Sequence, residues 1–164
     1  MKTLNLDINL IQEYQRNRFP YLFIDSAKVI PGKSAIGYRN LTDKDFFFEV
    51  HFPGDPNMPG MLQIEALIQL AALTVLTLPG NKGKVMYLTS SKKIKLSRKI
   101  LMGERLDMEA KLISFKRGIA KCSATGKVKG ETACKAEFTI VLPDTLKEYK
   151  VATNWVYESK IDWI

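Results

Sequence analysis

The sequence predicts an α+β fold in which one long central helix is wrapped by a curved antiparallel sheet. The longest apolar run covers residues 61–78, and Pro79-Gly80 follows it as a helix stop. After this helix, apolar residues recur at every second position, as in strands with one buried face. Small residues on one such strand leave room for the helix against the sheet: Ala120, Cys122, Ala124 and Gly126.

Length and composition restrict the class of protein. The chain has 164 residues, of which 46% are hydrophobic and 26% charged, as expected for a single domain with its own core. A disordered chain, a collagen-like chain and a small disulfide-framework protein are excluded. The formal net charge of +8 favours an acidic partner, such as nucleic acid, anionic lipid or an acidic protein.

The elements before the central helix are predicted from caps and turns. Asp7 is placed to cap a short helix over residues 8–15. Residues 29–41 predict a hairpin that turns at residues 31–33. Residues 51–60 contain three prolines and two glycines, so this loop has little conformational freedom. The central helix is predicted from about residue 60 to residue 78.

The second half of the chain predicts an antiparallel meander. Its three alternating runs are residues 106–112, 120–128 and 134–140, and Arg117-Gly118 and Lys129-Gly130 separate them as turns. Pro143 stops the last strand. We therefore place a single domain at residues 1–142 and a C-terminal extension at residues 143–164. The extension carries aromatic residues for packing on the domain or on a partner: Tyr149, Trp155, Tyr157 and Trp163.

The cysteines and the N-terminus indicate a cellular location. Cys122 and Cys134 fall at inward strand positions, where free thiols act as small apolar fillers; a disulfide is the alternative. Two cysteines without a nearby histidine do not make a zinc site. Residues 1–4 do not have the pattern of a signal peptide, and Glu65 opposes a lipid-spanning role for the apolar run. We expect a cytoplasmic protein.

Two ionisable residues stand in unusual places. His51 is the only histidine and begins the Pro/Gly loop, whereas Glu65 lies in the second turn of the most apolar helix. Gln69 follows on the same helical face, where its amide can orient the carboxylate. Burial raises the pKa of a carboxyl such as Glu65, so that it keeps a proton near neutral pH, and an imidazole accepts one. A base and an acid on rigid supports fit elimination chemistry.

The start of the central helix adds hydrogen-bond donors. Free N–H groups at Gly60 and Met61, with the positive end of the helix dipole, can hold a carbonyl oxygen that gains negative charge. Glycine at position 60 also permits close approach of an acyl group. The alternative is structural, because a lone histidine is usually a satisfied residue and a buried glutamate often pairs with a base. Position alone leaves both interpretations open.

A longer motif connects these residues. His51-Phe52-Pro53-Gly54-x-Pro56-x-Met58-Pro59-Gly60, followed by Glu65-Ala66 and Gln69, resembles the active-site signature of the FabZ-type 3-hydroxyacyl-[acyl-carrier-protein] dehydratases. Further segments resemble that family at residues 18–25, 31–37 and 87–96. The resemblance covers residues 10–142.

The resemblance implies a fold and a reaction. The family has the hotdog fold and forms dimers, some of them assembled as trimers of dimers, with each active site shared between two subunits. By analogy, His51 removes the C2 proton of a (3R)-3-hydroxyacyl thioester and Glu65 of the other subunit protonates the departing hydroxyl. The Gly60 N–H binds the thioester carbonyl beside Pro59 and Met61, and the product is a trans-2-enoyl thioester. No metal or redox cofactor is implied. Tyr87 matches a position that gates the acyl tunnel in some members.

The resemblance also implies an acidic acyl-carrier partner. A basic run could meet it, although a solvated strand face explains the same residues: Lys92, Lys93, Lys95, Arg98 and Lys99. The chain departs from the family at residues 15–18, which lack the usual histidine, at residues 102–104 and in its longer tail. These departures favour a specialised pathway.

Other functions stay open from the sequence. A hotdog acyl thioesterase shares the fold, and fold alone does not choose between the two reactions. A non-catalytic carrier-binding subunit is opposed by the presence of both His51 and Glu65. The net positive charge is the one feature that favours nucleic-acid binding, and no known binding motif supports that function.

Overall fold

The structure is a computed structural model that describes residues 2–148. Within this range the chain forms one seven-stranded sheet and four helices. The elements are β1 Leu4–Leu6, α1 Ile8–Tyr14, β2 Ser26–Ile30, β3 Ser34–Asn40, α2 Phe47–Val50, α3 Gly60–Leu76, β4 Tyr87–Leu96, β5 Arg105–Lys116, β6 Ile119–Val128, β7 Glu131–Val141 and α4 Pro143–Glu148.

The sheet wraps around α3. Its strand order is β1-β2-β3-β5-β6-β7-β4, and every neighbouring pair is antiparallel. Helix α3 contacts the inner strands β2, β3, β5, β6 and β7, so the core lies between the helix and one face of the sheet. The predicted α+β class, with a central helix inside an antiparallel sheet, is confirmed.

Helix α3 is buried on almost every side. Between residues 63 and 76, every side chain except that of Glu65 is buried. The helix begins at Gly60, as predicted, but ends at Leu76, two residues earlier than predicted. The helix ends where the Leu78 N–H donates to the Val75 carbonyl (3.0 Å), three residues back instead of four, which forms a tighter turn. The helix is therefore a core element that exposes one carboxylate.

The small inward face of β6 has the predicted role. Ala120, Cys122 and Ala124 are buried against the helix layer. A Cβ at Gly126 would lie 2.6 Å from Cys134 Sγ and 2.8 Å from a Leu106 methyl carbon, so no larger residue fits there. Both cysteines are free and buried, and burial raises the pKa of each thiol to about 12.

The turns and the hairpin follow their sequence signals. Arg117-Gly118 and Lys129-Gly130 have positive φ at both residues, as tight hairpin turns require. Asp7 caps α1 by accepting a hydrogen bond of 2.9 Å from the Leu10 N–H. Strands β2 and β3 form the predicted hairpin. The sequence analysis did not predict β1 or the short helix α2.

The chain after β7 begins with a short helix. Strand β7 ends at Val141 and α4 begins at Pro143, beside the turn at Gly118. Of the extension, the aromatic residues from position 149 onward lie outside the described residues. In the described range, no helix combines the length and apolar character that a membrane crossing requires.

Candidate active site

The loop that carries His51 is fixed by backbone hydrogen bonds. The His51 N–H follows α2 and donates to the carbonyl of Phe47, the first residue of that helix (2.8 Å), and the Asn57 N–H donates to the His51 carbonyl (2.9 Å). The Met58 N–H donates to the Ile100 carbonyl (2.9 Å), and the Met58 side chain is fully buried. The Pro/Gly loop is therefore anchored at both ends, as its composition predicts.

The imidazole of His51 has a defined tautomer. Its Nδ1 lies 3.0 Å from the Asn57 carbonyl oxygen. Since a carbonyl oxygen only accepts, Nδ1 carries the hydrogen, and in the neutral ring Nε2 keeps the lone pair. The Phe52 ring stacks on the imidazole with ring centroids 3.9 Å apart. His51 thus presents Nε2 as a base in a fixed ring plane.

An ion-pair network holds the segment that leads to His51. The Arg39 guanidinium binds Asp25 at 2.7 Å and Asp45 at 2.6 Å, and Asp45 is almost completely buried. The Asp45 carboxylate also accepts a hydrogen bond from the Thr42 N–H, and the Asp45 main-chain carbonyl accepts one from the Phe48 N–H. This network fastens β3 to the start of α2. Sequence analysis missed it, because nothing in the spacing of these residues shows that they meet.

The start of α3 presents free donors. Pro59 is the N-cap residue, and its carbonyl accepts from the N–H groups of Leu62 and Gln63. The N–H groups of Gly60 and Met61 have no acceptor within the helix. A Cβ at Gly60 would overlap the end of the half-exposed Leu96 side chain, which would have to move, so packing favours glycine here in addition to any acyl ligand. Sequence analysis gave only the second reason.

Glu65 lies in the second turn of α3 as a partly buried carboxyl. Burial raises the pKa of Glu65, as predicted, while the hydrogen bond from Gln69 acts in the opposite direction. The Gln69 amide nitrogen lies 2.9 Å from Glu65 Oε1, which confirms that Gln69 contacts and orients the carboxyl. Burial of the carboxyl therefore favours its protonated form more than it would for an exposed glutamate.

Gln69 itself is held from two further sides. Its Oε1 accepts from the Phe23 N–H, and its Nε2 also donates to the Tyr21 carbonyl, both at 2.9 Å. The side chain is 3% exposed. Because both amide atoms are occupied, the amide cannot flip, and a donor always faces Glu65. The partners lie more than forty residues away in sequence, so no local pattern predicts them.

Two more residues belong to this region and were missed by sequence analysis. The Gln63 amide donates to the Met58 carbonyl at 3.1 Å and joins the loop to α3. Tyr21 lies close enough to Glu65 for its phenol to be affected, since burial and the charge of Glu65 raise the pKa of Tyr21. Gln63 could have been identified from the sequence, because it is a polar residue within the apolar run. No feature of the sequence around Tyr21 indicates that it lies near Glu65.

A cavity of about 110 Å³ lies beside Glu65 and Gln69. His51 does not line it, and among residues 2–148 no hydrogen bond joins His51 to Glu65. Tyr87 begins β4 next to the cavity-lining Met86 and is 51% exposed. One chain thus places Glu65 and Gln69 together, and His51 on a separate loop.

The basic residues of the 92–99 run are mostly paired. Lys92 and Lys93 bind Glu137, and Lys99 binds Asp55. Arg98 binds Glu104 and, more distantly, Glu131. In the described range, no three His, Cys, Asp or Glu side chains lie together as a group that could hold a metal ion.

Comparisons with known proteins identify the family of this chain. The family description "FabA-like domain" matches residues 17–137. A protein of Clostridium novyi (strain NT) named 3-hydroxyacyl-[acyl-carrier-protein] dehydratase FabZ is 43% identical over 135 residues, which is 80% of this chain and 94% of that protein. A protein of the same name from Acetivibrio thermocellus is 39% identical over 139 residues, covering 84% of this chain and 95% of that protein.

Solved structures share the fold at low sequence identity. The dehydratase heterocomplex ApeI:P of Xenorhabdus doucetiae aligns with a TM-score of 0.71 at 13% identity, over 85% of this chain and 95% of that chain. A hypothetical thioesterase of Streptococcus pneumoniae, solved with coenzyme A, aligns with a TM-score of 0.54 at 15% identity, over 69% and 80%. The fold is the predicted hotdog fold. With the family match over most of its length and relatives near 40% identity, this chain belongs to the FabA-like family and, within it, to the FabZ dehydratases.

Proposed function

We propose that this protein converts (3R)-3-hydroxyacyl-acyl-carrier-protein to trans-2-enoyl-acyl-carrier-protein in the biosynthesis of fatty acids or related acyl chains. The relatives named above are dehydratases by name, and the chain covers nearly all of their length. The observation that carries the proposal is the pairing of chemical states: a base with a free Nε2 at His51 and a carboxyl with a raised pKa at Glu65.

The proposed reaction divides between these two groups. His51 Nε2 takes the proton from C2 of the substrate, and the electron pair of the C2–H bond forms the C2=C3 double bond. The C3–O bond breaks, and Glu65 gives its proton to the departing hydroxyl, which leaves as water. Glu65 is then a carboxylate and His51 an imidazolium, and proton return to Glu65 restores the enzyme.

The start of α3 supports the first half of this reaction. Removal of the C2 proton places negative charge on the thioester carbonyl oxygen. We place this oxygen at the first turn of α3, where the N–H groups of Gly60 and Met61 and the positive end of the helix dipole would stabilise it. Pro59 and Met61 flank the oxygen, and Gln69 holds the acid.

We propose a homodimer in which His51 of one subunit faces Glu65 of the other. Strand β4 supports it: β4 is ten residues long, lies at the edge of the sheet and, among residues 2–148, pairs with β7 alone. Leu88, Ile94 and Leu96 on this strand are each more than 40% exposed. An edge strand with exposed apolar side chains favours pairing with another strand, and we propose a second copy of β4 as that strand.

The finer assignments follow from charge and boundaries. An acidic carrier protein fits the net charge of +8 and Lys95, which has no ion pair among the described residues. Residues 1–142 would form the catalytic domain and residues 143–164 an extension, because the family match ends at residue 137. Two free buried cysteines support a cytoplasmic location.

Loss of water from a 3-hydroxyacyl thioester, measured by mass spectrometry, tests the reaction. The expected result is an enoyl product from the wild-type chain and none above background from His51→Ala, with an unchanged circular dichroism spectrum. Release of free thiol without an enoyl product would instead assign a thioesterase. Full activity of His51→Ala would contradict His51 as the base.

Mixing two inactive variants tests the shared site. If His51 and Glu65 act across the interface, a dimer of His51→Ala with Glu65→Gln contains one intact site, and an equimolar exchanged mixture recovers about a quarter of wild-type activity. Each variant mixed with itself is the control. A mixture that exchanges subunits, as seen with differently tagged chains, and stays inactive would contradict a shared site.

A further inference from the structure

Helix α2, which leads directly to His51, is too short to hold its own position. It has four residues, and its N-cap residue Phe46 forms no side-chain capping hydrogen bond. A helix of one turn closes too few main-chain hydrogen bonds to be stable by itself, so contacts with other elements must fix it. Because the His51 N–H bonds the carbonyl of Phe47 in this helix, whatever fixes α2 also places His51.

The first contact that fixes α2 is aromatic. The Phe23 and Phe47 rings have centroids 6.3 Å apart, and both residues are at most 1% exposed. Phe23 belongs to the segment that supports the acid, because its N–H donates to Gln69 Oε1 (2.9 Å). Within one subunit, the supports of His51 and of Glu65 are therefore in contact. Hydrophobic attraction is non-directional, so this contact restrains the distance between the two supports more than their orientation.

The second contact is charged and has a fixed direction. Arg39 Nη1 lies 2.7 Å from Asp25 Oδ1, and Nη2 lies 2.6 Å from Asp45 Oδ1, so two nitrogens of one planar group bind two carboxylates. The other oxygen of Asp25 accepts from the Asn40 N–H (2.7 Å). The other oxygen of Asp45 accepts from the Thr42 N–H (2.8 Å). The orientations of the guanidinium and of both carboxylates are therefore fixed.

The burial of this ion pair favours a positioning role over a purely stabilising one. The Asp45 side chain is 1% exposed and that of Arg39 is 14% exposed. Removal of two charges from water costs about as much as their attraction returns, so a buried pair adds little net stability compared with apolar residues. Such a pair does favour one arrangement, because any other leaves a buried charge unpaired. Asp45 lies two residues before α2, so that arrangement sets where α2 begins.

We propose that Arg39 is a positioning residue for the base: bound to Asp45, it fixes α2, and through α2 the imidazole of His51. The inference rests on the proposed function, which makes His51 the group that takes the C2 proton. Proton transfer requires the base within hydrogen-bond reach of the proton, so a displaced imidazole lowers kcat even while the chain stays folded. Arg39 acts only through Asp45 and α2, so its loss should leave thioester binding largely intact.

Steady-state kinetics on a 3-hydroxyacyl thioester gives the first test. In Arg39→Met, kcat should fall roughly tenfold or more, while KM stays near the wild-type value. Arg105→Met is the matched control, because Arg105 is an exposed arginine on the neighbouring strand β5 that binds Asp107. It should keep the wild-type kcat and KM. A wild-type kcat in folded Arg39→Met would overturn the inference.

A second variant guards against a failure to fold. Arg39→Met leaves Asp45 as a buried charge without its cation, which strongly destabilises a protein. The double variant Arg39→Met/Asp45→Asn removes both charges, and replacement of a whole buried pair is often nearly neutral for folding. It should show the same loss of kcat as Arg39→Met, because both lack the same contact. A folded double variant with wild-type kcat would overturn the inference.

Amide hydrogen exchange separates positioning from general stability and needs no turnover. The chain has one histidine, so ¹⁵N-histidine labelling gives one main-chain signal, that of His51. In the double variant α2 should open locally, and the His51 amide should exchange roughly tenfold faster or more. The Phe23 amide, which bonds Gln69 on the other side of the contact, should keep its wild-type protection.

The exchange result also distinguishes the inference from the proposed function. An unchanged His51 amide, or an equal acceleration at His51 and Phe23, would overturn the positioning role whatever the kinetics show. If the wild type forms no enoyl product, the proposed function fails, and the exchange rates still decide whether Arg39 positions His51.

Discussion

The two candidate catalytic residues are positioned by different kinds of structure. His51 lies on a loop whose geometry comes from main-chain hydrogen bonds, and its ring bonds a main-chain carbonyl. Glu65 lies on a core helix, and its position depends on one side chain, Gln69. Main-chain positioning tolerates changes of the neighbouring side chains, whereas side-chain positioning does not. The difference predicts which substitutions around each residue matter.

Removal of either reacting group is expected to have the largest effect on kcat, and the effect should be similar for the loop and for the helix. His51→Gln and Glu65→Gln should each lower kcat by roughly 10²–10⁴-fold, the usual contribution of a general base or acid. Steady-state kinetics on a 3-hydroxyacyl thioester measures this. Glu109→Gln, an exposed carboxylate on β5, is the control and keeps wild-type kcat. A wild-type kcat in Glu65→Gln would remove Glu65 from the reaction.

Substitution of the two supporting residues separates the regions. Gln69→Leu leaves the Tyr21 carbonyl and the Phe23 N–H without partners, which lowers the free energy of unfolding by about 1–3 kcal/mol. It also frees Glu65 to move, so kcat falls roughly tenfold or more. Urea denaturation and kinetics measure the two effects.

Asn57→Ala is the matched change on the loop. The His51 ring bonds the main-chain carbonyl of residue 57, which alanine keeps, so only the side-chain hydrogen bond to the Asp55 carbonyl is lost. The expected cost is about 0.5–1.5 kcal/mol, with kcat within a few-fold of wild type. A larger loss of kcat in Asn57→Ala than in Gln69→Leu would reverse the comparison.

The pH dependence of stability sharpens the comparison on the helix side. Because the pKa of Glu65 is raised in the folded chain, the folded state binds more protons than the unfolded state at pH values above the ordinary glutamate pKa of 4.5. The free energy of unfolding therefore falls as pH rises from that value through the folded pKa. Glu65→Gln removes this contribution. Urea denaturation across this range should show that the free energy of unfolding of the variant rises relative to that of the wild type as pH rises. If the difference between the two proteins does not change with pH, the raised pKa is contradicted.

The smallest effect is expected at the rim of the loop. Lys99 and Asp55 form an ion pair, but both side chains are more than half exposed. Such pairs contribute less than about 1 kcal/mol and are screened by salt. Lys99→Met should thus leave kcat unchanged and shift the urea midpoint only slightly at low salt. A large loss of activity would show that the loop depends on this side chain.

Much of the fold is predictable from local patterns. The period of the apolar residues predicted α3 and strands β5 to β7, and Gly after Arg117 and Lys129 predicted their turns. Three-residue β1 is too short to show a period, and it is a strand only because it pairs with β2. The aromatic residues of α2 favour strands, but main-chain bonds after Asp45 turn them into a helix.

The candidate site also has a part that the sequence predicts and a part that it does not. The sequence motif identified His51, Gly60, Glu65 and Gln69, and the structure adds why each is held in place. The hydrogen bonds of Gln69 to residues 21 and 23, and the ion pairs of Arg39, join parts of the chain that only the complete fold brings together. Such long-range contacts have no local signal, because they depend on the register of several strands at once.

The contact between Gly60 and Leu96 has a consequence for the enzyme at low concentration. Leu96 ends the edge strand that we propose for subunit pairing, and its side chain fills the space before the first turn of α3. In a separated subunit this leucine would lose its cover from the partner strand and gain rotational freedom. Dissociation would therefore remove the neighbouring half of the site and also loosen the wall that sets how closely a thioester approaches the helix.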